Sequence, residues 1–266
     1  MKGAILNTGW IGLFVFALTT TLVSSCSGRE KDRIDAHATD RAPLTYQMRD
    51  TVAEFIAADT SGGYVRIELK FPVFSGAEFA PELNRFVASK LWAQNRTAQR
   101  SWLTQIKFFI DQYKQLKEDI GTYGNPWTHM EMVSVRRLDG EILTLEREYT
   151  EYSGGAHGRN EIHYYNFAVK TGDTLLLEDI IKPGTNEALS AMIDFHFREQ
   201  KGLTNEQSLI SDGGLNVETI PVTQNFALDT KGIRFYYNPY EIAAYAAGPI
   251  IIEVPLADLA PYLKVE

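Results

Sequence analysis

Between Trp127 and Leu177 the chain alternates apolar and polar residues. It is interrupted three times by turn-forming residues: at Asp139-Gly140, at Ser153-Gly154-Gly155-Ala156-His157-Gly158 and at Thr171-Gly172. A period of two places successive side chains on opposite faces of a strand, so such runs fold as strands with one buried face. Asp-Gly suits the tight turn of a hairpin, and Gly154 and Gly155 permit the positive φ that a sharp reversal needs. Reversals this closely spaced predict an antiparallel meander. Within it Leu143 and Leu145 face one way and Glu146 and Glu148 the other, while Tyr165, Phe167 and Val169 form the apolar side of the next hairpin.

The flanking segments supply what the meander packs against. Two strands precede it, "LTYQMRDTVAEF" and "GGYVRIELKFPVF", joined by the turn "ADTSGG". A helical pattern then runs from about Glu78 to Asp119, with Phe79, Leu83, Phe86, Val87 and Leu91, then Leu103, Ile106, Ile110 and Tyr113, at steps of three and four. Ser75 and Glu78 form one candidate capping box, and Pro81 marks a rival start. The polar stretch "NRTAQRSW" allows two helices or one kinked helix. After the meander, "NEALSAMIDFHFREQKG" reads as a helix burying Leu189, Met192, Ile193 and Phe197 and ending at Gly202. A hairpin, "TQNFALDTKGIRFYYNP", a buried strand, "PIIIEVP", and a short helix, "LADLAPYLK", complete the chain. The predicted fold is α+β with two associated lobes, residues 44–170 and 171–266. Antiparallel sheets pack against one long helix in the first lobe and a shorter helix in the second.

The amino terminus stands apart. Lys2 precedes the apolar run "WIGLFVFALTTTLV", which ends at Val23-Ser24-Ser25-Cys26, and Cys26 is the single cysteine of the 266 residues. That run is short for a membrane helix and reads as a signal peptide, residues 1–25. Val23-Ser24-Ser25-Cys26 resembles the lipobox of bacterial lipoproteins, which implies lipidation at Cys26; an ordinary cleaved leader with an incidental cysteine is the alternative. Loss of residues 1–25 removes only Lys2 among charged groups and takes the formal charge from −8 to −9. Residues 26–43 are polar and aperiodic and read as a flexible tether. The expected location is the bacterial cell envelope, outside the cytoplasm, with the membrane reached through the lipid.

An acidic chain with 23% charged residues offers no broad basic surface, so no nucleic acid partner is expected. Serine-nucleophile, zinc-protease and phosphate-loop motifs are absent, and with Cys26 lipidated no thiol nucleophile remains. The five histidines, His37, His129, His157, His163 and His196, show no i, i+4 pair, and no metal or other cofactor is expected. His157 and His163 could meet Glu151 or Glu161 across their hairpin, although a local hydrogen bond or exposure in the turn is the plainer account of His157. Tyrosines cluster at Tyr149, Tyr152, Tyr164, Tyr165, Tyr236, Tyr237, Tyr240 and Tyr245, as contact residues or as half-buried strand residues. From these come the candidate partner-binding residues Tyr152, Gly154, Gly155, His157, Tyr164, Tyr236 and Tyr240.

Two segments carry a family resemblance. "YSGGAHG" followed by "YNFAVKTGDTLLLEDI", and "GIRFYYNPYEIAAYAAGPIIIEVP", are similar to the signatures of the extracytoplasmic domain pair of RsiV-like anti-sigma factors, which bind lysozyme. The same pair precedes the catalytic domain of a peptidoglycan deacetylase. The resemblance spans roughly Leu44 to Leu263. It implies an α+β fold and a non-catalytic role, with lysozyme or peptidoglycan as partner. The sequence carries no sigma-binding segment ahead of the apolar run and no deacetylase domain after the pair, so the expectation is the binding part alone on a lipid anchor. The competing expectations are a wall-directed enzyme with a site around His157 and Glu151, and a structural subunit of an outer-membrane assembly.

Overall fold

The computed structural model describes residues 42–57, 62–91 and 102–264. The leader, Cys26, the tether up to residue 41 and the turn and helical stretches at 58–61 and 92–101 lie outside the described residues. The first sheet has six strands in sequential order: β1 (Thr45–Ile56), β2 (Tyr64–Ser75), β3 (Trp127–Leu138), β4 (Ile142–Tyr152), β5 (Arg159–Ala168) and the short β6 (Thr174–Leu175). The expected meander β3–β4–β5 is present, turning at Asp139, whose carboxylate accepts the N–H groups of Glu141 and Ile142 at 2.8 Å. The sheets are antiparallel as expected except at one place, where β2 and β3 are parallel. Between them lies the helical segment, and a crossover of that length returns the chain to the end it left. The Thr171-Gly172 turn folds β6 back onto β5, so this sheet continues past Lys170.

The predicted long helix is two: α1 (Ala80–Lys90) and α2 (Trp102–Ile120). α1 begins at Ala80 with Pro81 in its first turn, where a missing N–H costs nothing, and the Ser75–Glu78 box does not cap it. Both helices cover the same sheet face. α1 sets Ala80, Leu83 and Val87 on Phe74, Val133, Leu143, Leu145 and Phe167. α2 sets Ile106, Phe109, Ile110 and Tyr113 on Ala53, Val65, Ile67 and Leu69. Each such aliphatic or aromatic side chain contributes roughly 1.5–3 kcal/mol on burial.

The second lobe is a three-stranded antiparallel sheet, β7 (Phe226–Asp229), β8 (Gly232–Tyr237) and β9 (Ile250–Pro255). α3 (Leu177–Ile180) leads to α4 (Asn186–Lys201), and α5 (Leu256–Leu259) follows β9. The apolar stripe of α4, Leu189, Ile193 and Phe197, is fully buried against Phe235, Ile252 and Val254. Gly202 ends the helix at φ 68°, as expected of a left-handed cap.

The opposite face of β4 and β5 takes the second lobe, and asparagine amides join the two sheets. Asn166, on β5, accepts the Leu228 N–H at 3.1 Å and donates to the Phe226 carbonyl at 2.8 Å. Asn225 returns the contact, accepting the Tyr164 N–H at 2.9 Å and donating to the Ile162 carbonyl at 2.8 Å. Asn238 accepts the Ile162 N–H at 2.8 Å. Each side chain stands where a neighbouring strand's peptide group would be. The Arg136 guanidinium adds a two-pronged contact to Asp229 at 3.1 and 3.3 Å. Replacing Asn166 with Leu leaves two buried backbone groups of β7 without partners, and we expect a loss of about 2–4 kcal/mol. Urea unfolding followed by tryptophan fluorescence measures it; a variant within about 0.5 kcal/mol of the parent would show that the amide does not hold the lobes.

Candidate functional site

The reversal between β4 and β5 places the predicted tip residues where the two lobes meet. Gly154 has φ 89°, and a Cβ there would lie 2.0 Å from the Tyr123 hydroxyl. Only glycine fits both the angle and the approach. Tyr123 in turn accepts the Trp127 indole N–H at 2.9 Å, and Trp127 packs on Phe109 and Tyr113, so the tip rests on the aromatic end of the α2 core. Gly155 is exposed, with an ordinary φ and ordinary space around it.

His157 leaves the tip and stacks on Tyr245 of the second lobe, with ring centroids 4.1 Å apart at 23°. Its Nδ1 lies 3.0 Å from the Gly158 carbonyl, which also accepts the Tyr245 hydroxyl at 2.9 Å. Tyr240 closes the group, its hydroxyl 3.4 Å from His157 Nε2 and its ring 5.5 Å from that of Tyr245. The three rings form an aromatic group drawn from both lobes, with His157 and Tyr240 exposed and Tyr245 half-buried. Tyr240 has a feature of its own: it is the third residue of a turn closed by the Glu241 N–H to the Asn238 carbonyl at 3.0 Å, after Pro239. Its φ is 73°, the one positive value at a non-glycine residue among the described residues. A Pro-then-positive-φ turn normally takes glycine, and a tyrosine held there costs about 1–3 kcal/mol.

The remaining predicted contacts separate from this group. Tyr164 and Tyr236 are 6% and 4% exposed and pack edge to face at 5.9 Å within the seam. They are core residues and not a partner surface, because each is covered by the lobe opposite its own. Burial, reinforced by Glu146, pushes both phenols up to about 12. Tyr152 is half-buried at the base of the hairpin and, among the described residues, makes no ring contact with the trio. Tyr245 stood within the tyrosine cluster but had no signal setting it apart from its neighbours.

Sequence reasoning missed a second constellation on the helix-covered face. Cross-strand register sets His129 beside Glu151 and Glu131 beside Tyr149. His129 is 1% exposed, with Nδ1 3.1 Å from Glu151 and Nε2 3.9 Å from Glu131, whose carboxylate also pairs with buried Arg147. Glu161 continues the set through Arg159 at 2.6 Å and His163 at 3.2 Å. Glu151 and Glu161 are thus engaged by other partners and do not converge on His157. Among the described residues no group of three acidic, histidine or cysteine side chains is arranged to hold a metal ion. Burial is the largest influence on His129 and works to lower its pKa. The hydrogen bonds and charges of Glu131 and Glu151 together outweigh it and hold the imidazole above 6.5. Burial likewise works to raise the Glu151 carboxyl, and His129 prevails in holding it below 4.5.

The signs fix a pH window. A raised His129 stabilises the fold fully below about pH 6.5 and loses that contribution as pH rises through its folded value; a depressed Glu151 stabilises above about pH 4.5 and loses it as pH falls. Chemical denaturation of the parent should therefore show stability falling from pH 6.5 to 9. His129→Gln should be less stable at pH 6 with a flatter profile over that range, and an unchanged slope would remove His129 as its source.

Residues 59–160 match the family profile described as Deacetylase PdaC, and residues 178–257 match the one described as Protein of unknown function (DUF3298). No curated protein matches the chain. The crystal structure of a DUF3298 family member from Bacteroides fragilis is similar at TM-score 0.69 and 22% identity, covering 84% of this chain and 96% of that one. A DUF3298 family protein from Pseudomonas aeruginosa is similar at TM-score 0.58 and 18% identity, covering 85% of this chain and 95% of its own. At these identities the likeness is one of fold. The two profile matches fall on the two lobes in turn, and together with the fold they support a pair of domains whose function is unknown.

Proposed function

We propose that the chain is a non-catalytic binding protein of the bacterial envelope, anchored through a lipid on Cys26, and that the aromatic group His157, Tyr240 and Tyr245 meets its partner. Lysozyme and peptidoglycan are the partners in view. One observation carries the reading: Tyr240 is 63% exposed yet held at φ 73°. Strain at an exposed aromatic gives folding nothing in return, and strain of that kind concentrates at ligand-contacting positions. Tyrosine also suits either partner, with a flat apolar face for a sugar or a protein surface and a polar tip at the rim.

Several further observations support a binding role over catalysis. His157 stacks on Tyr245 and lies beside the Gly158 carbonyl, and no carboxylate orients it among the described residues. In the acid–base pair with shifted pKa values, His129 is buried against Phe109 of α2, and the 26%-exposed Glu151 is engaged by it. Among the described residues no helix is long and apolar enough to cross a membrane. The peptidoglycan reading rests on the resemblance drawn from the sequence, and the chain's formal charge of −8 complements a cationic lysozyme.

Tyr240→Asn separates binding from folding, since asparagine tolerates the left-handed conformation. We expect its melting temperature to match or exceed the parent's, while affinity for a c-type lysozyme at low salt falls about tenfold or more. Calorimetry of both proteins, with isolated peptidoglycan as the second ligand, reads the outcome. Unchanged affinity for whichever ligand the parent binds would remove Tyr240 from the contact, and a parent that binds neither would remove both partners.

A further inference from the structure

The seam closes sheet edges with side chains, and β9 is treated differently. The Leu256 N–H donates to the Lys231 carbonyl at 2.8 Å, extending the β8–β9 ladder by one rung and fixing its phase. The Tyr236 N–H, turned the other way, donates to Asn225 at 2.9 Å and agrees with that phase. Ile250, Ile252 and Val254 therefore direct their backbone groups to β8, and Ile251 and Glu253 direct theirs outward. Among the described residues no backbone hydrogen bond reaches Ile251 or Glu253 from outside. Pro249 and Pro255 occupy the outward positions on either side. Neither has an N–H to offer, so the open edge is limited to two residues.

A wall stands beside this edge. His196, Glu199 and Gln200 of α4 face Ile251, Glu253 and Arg234 across a groove of about 660 Å³. His196 is tied to Glu199 at 3.4 Å and to Asp258 of α5 at 3.1 Å, which fixes the helical side. Glu199 and Glu253 bring exposed carboxylates to the groove and Asp258 stands behind His196, while the Arg234 guanidinium is shared between Glu253 and, at 3.6 Å, Asp229.

We infer that this groove docks a short extended segment of a basic partner protein, added as a fourth strand beside β9. An open strand edge with a helix along it is a geometry that accepts peptides by strand addition, with main-chain bonds giving affinity and flanking side chains giving preference. Ile251 and Glu253 supply two donors and two acceptors, and the carboxylate rim selects lysine or arginine at the alternating outward positions. A second copy of this chain is disfavoured, because pairing β9 with β9 brings two acidic rims together on molecules of formal charge −8. The inference concerns the second lobe alone and does not rest on the aromatic group around Tyr240.

The test uses the full chain and two capped pentapeptides, Lys-Val-Lys-Val-Lys and Glu-Val-Glu-Val-Glu. The basic peptide should bind about tenfold more tightly than the acidic one. It should also slow amide exchange at Ile251 and Glu253 while leaving Ile250, Ile252 and Val254 unchanged. Glu253→Gln keeps the N–H and should weaken binding about threefold, whereas Glu253→Pro removes it and should abolish binding with the melting temperature little changed. Equal binding of both peptides, or exchange protection elsewhere than Ile251 and Glu253, overturns the inference. So does concentration-dependent self-association that protects those two amides, since the occupant would then be a second copy. The exchange measurement needs no variant, so misfolding of Glu253→Pro would leave the test intact.

Discussion

A sheet edge that rests on the face and free edge of another sheet has a polar-group problem, and asparagine solves it here. Ile162 and Tyr164 on β5 and Phe226 and Leu228 on β7 present backbone donors and acceptors to the seam, where water is excluded. Left unpaired, each would cost about 1–3 kcal/mol. A primary amide carries one acceptor and a donor group in nearly the geometry of a peptide bond. Asn166, Asn225 and Asn238 therefore let each sheet end against the other as if one more strand were present. Asn84 does the same at the far side of the first lobe, bonding both the N–H and the carbonyl of Phe74 from α1. Hydrophobic packing brings the lobes together, but the amides fix one relative placement, since a slide of one residue would misalign every pair.

That placement is what makes the aromatic group possible. His157 belongs to the first lobe and Tyr240 and Tyr245 to the second, and their stacking at 4.1 to 6.5 Å exists only while the seam holds. Asn238 contributes to both, accepting the Ile162 N–H with its side chain and opening the strained turn that carries Tyr240 with its backbone. On the opposite face of the same hairpin, Glu151 links β4 to His129 one residue before Tyr152. The tip is therefore held from below by Gly154 on Tyr123, from the side by Tyr245, and at its root by the contact of Glu151 with buried His129. A surface so constrained pays little ordering entropy on contact.

The residues that announced themselves in the sequence are those whose signal is local. Asp139-Gly140, the stripe of α4 with Gly202, and the alternation of β2 depend on neighbours a few positions away, and each forms as expected. The parallel pairing of β2 with β3 was hidden because strand direction depends on where a crossover lands, which no local pattern encodes. His129 and Glu131 were hidden for a related reason. They alternate with Trp127 and Val133 on one face, a pattern compatible with either a wet or a dry side. Only the register against Arg147, Tyr149 and Glu151 reveals a closed set of charges. The tyrosines show the limit of composition: Tyr164 and Tyr240 look alike in the sequence, and one is buried while the other is mostly exposed, because the seam crosses one and ends before the other.

Asparagine also explains why β9 differs in kind from the seam strands. Closing an edge with an amide requires a partner element at a fixed distance, and on the outer side of β9 the neighbouring element is α4, set back by the groove. His196, Glu199 and Gln200 look across it with no amide bonded to Ile251 or Glu253 among the described residues. Prolines at 249 and 255 limit how far another strand could extend along that edge, which guards against open-ended pairing. They leave the two central residues able to pair. Prolines, rim charges and a neighbouring helix all protect an edge, and here they stop short of Ile251 and Glu253. This edge keeps a straight ladder, a flanking helix and carboxylates at the rim. The same fold therefore offers contacts of two physical kinds, a rigid aromatic surface that recognises by shape and a short main-chain edge that recognises by backbone pairing and charge.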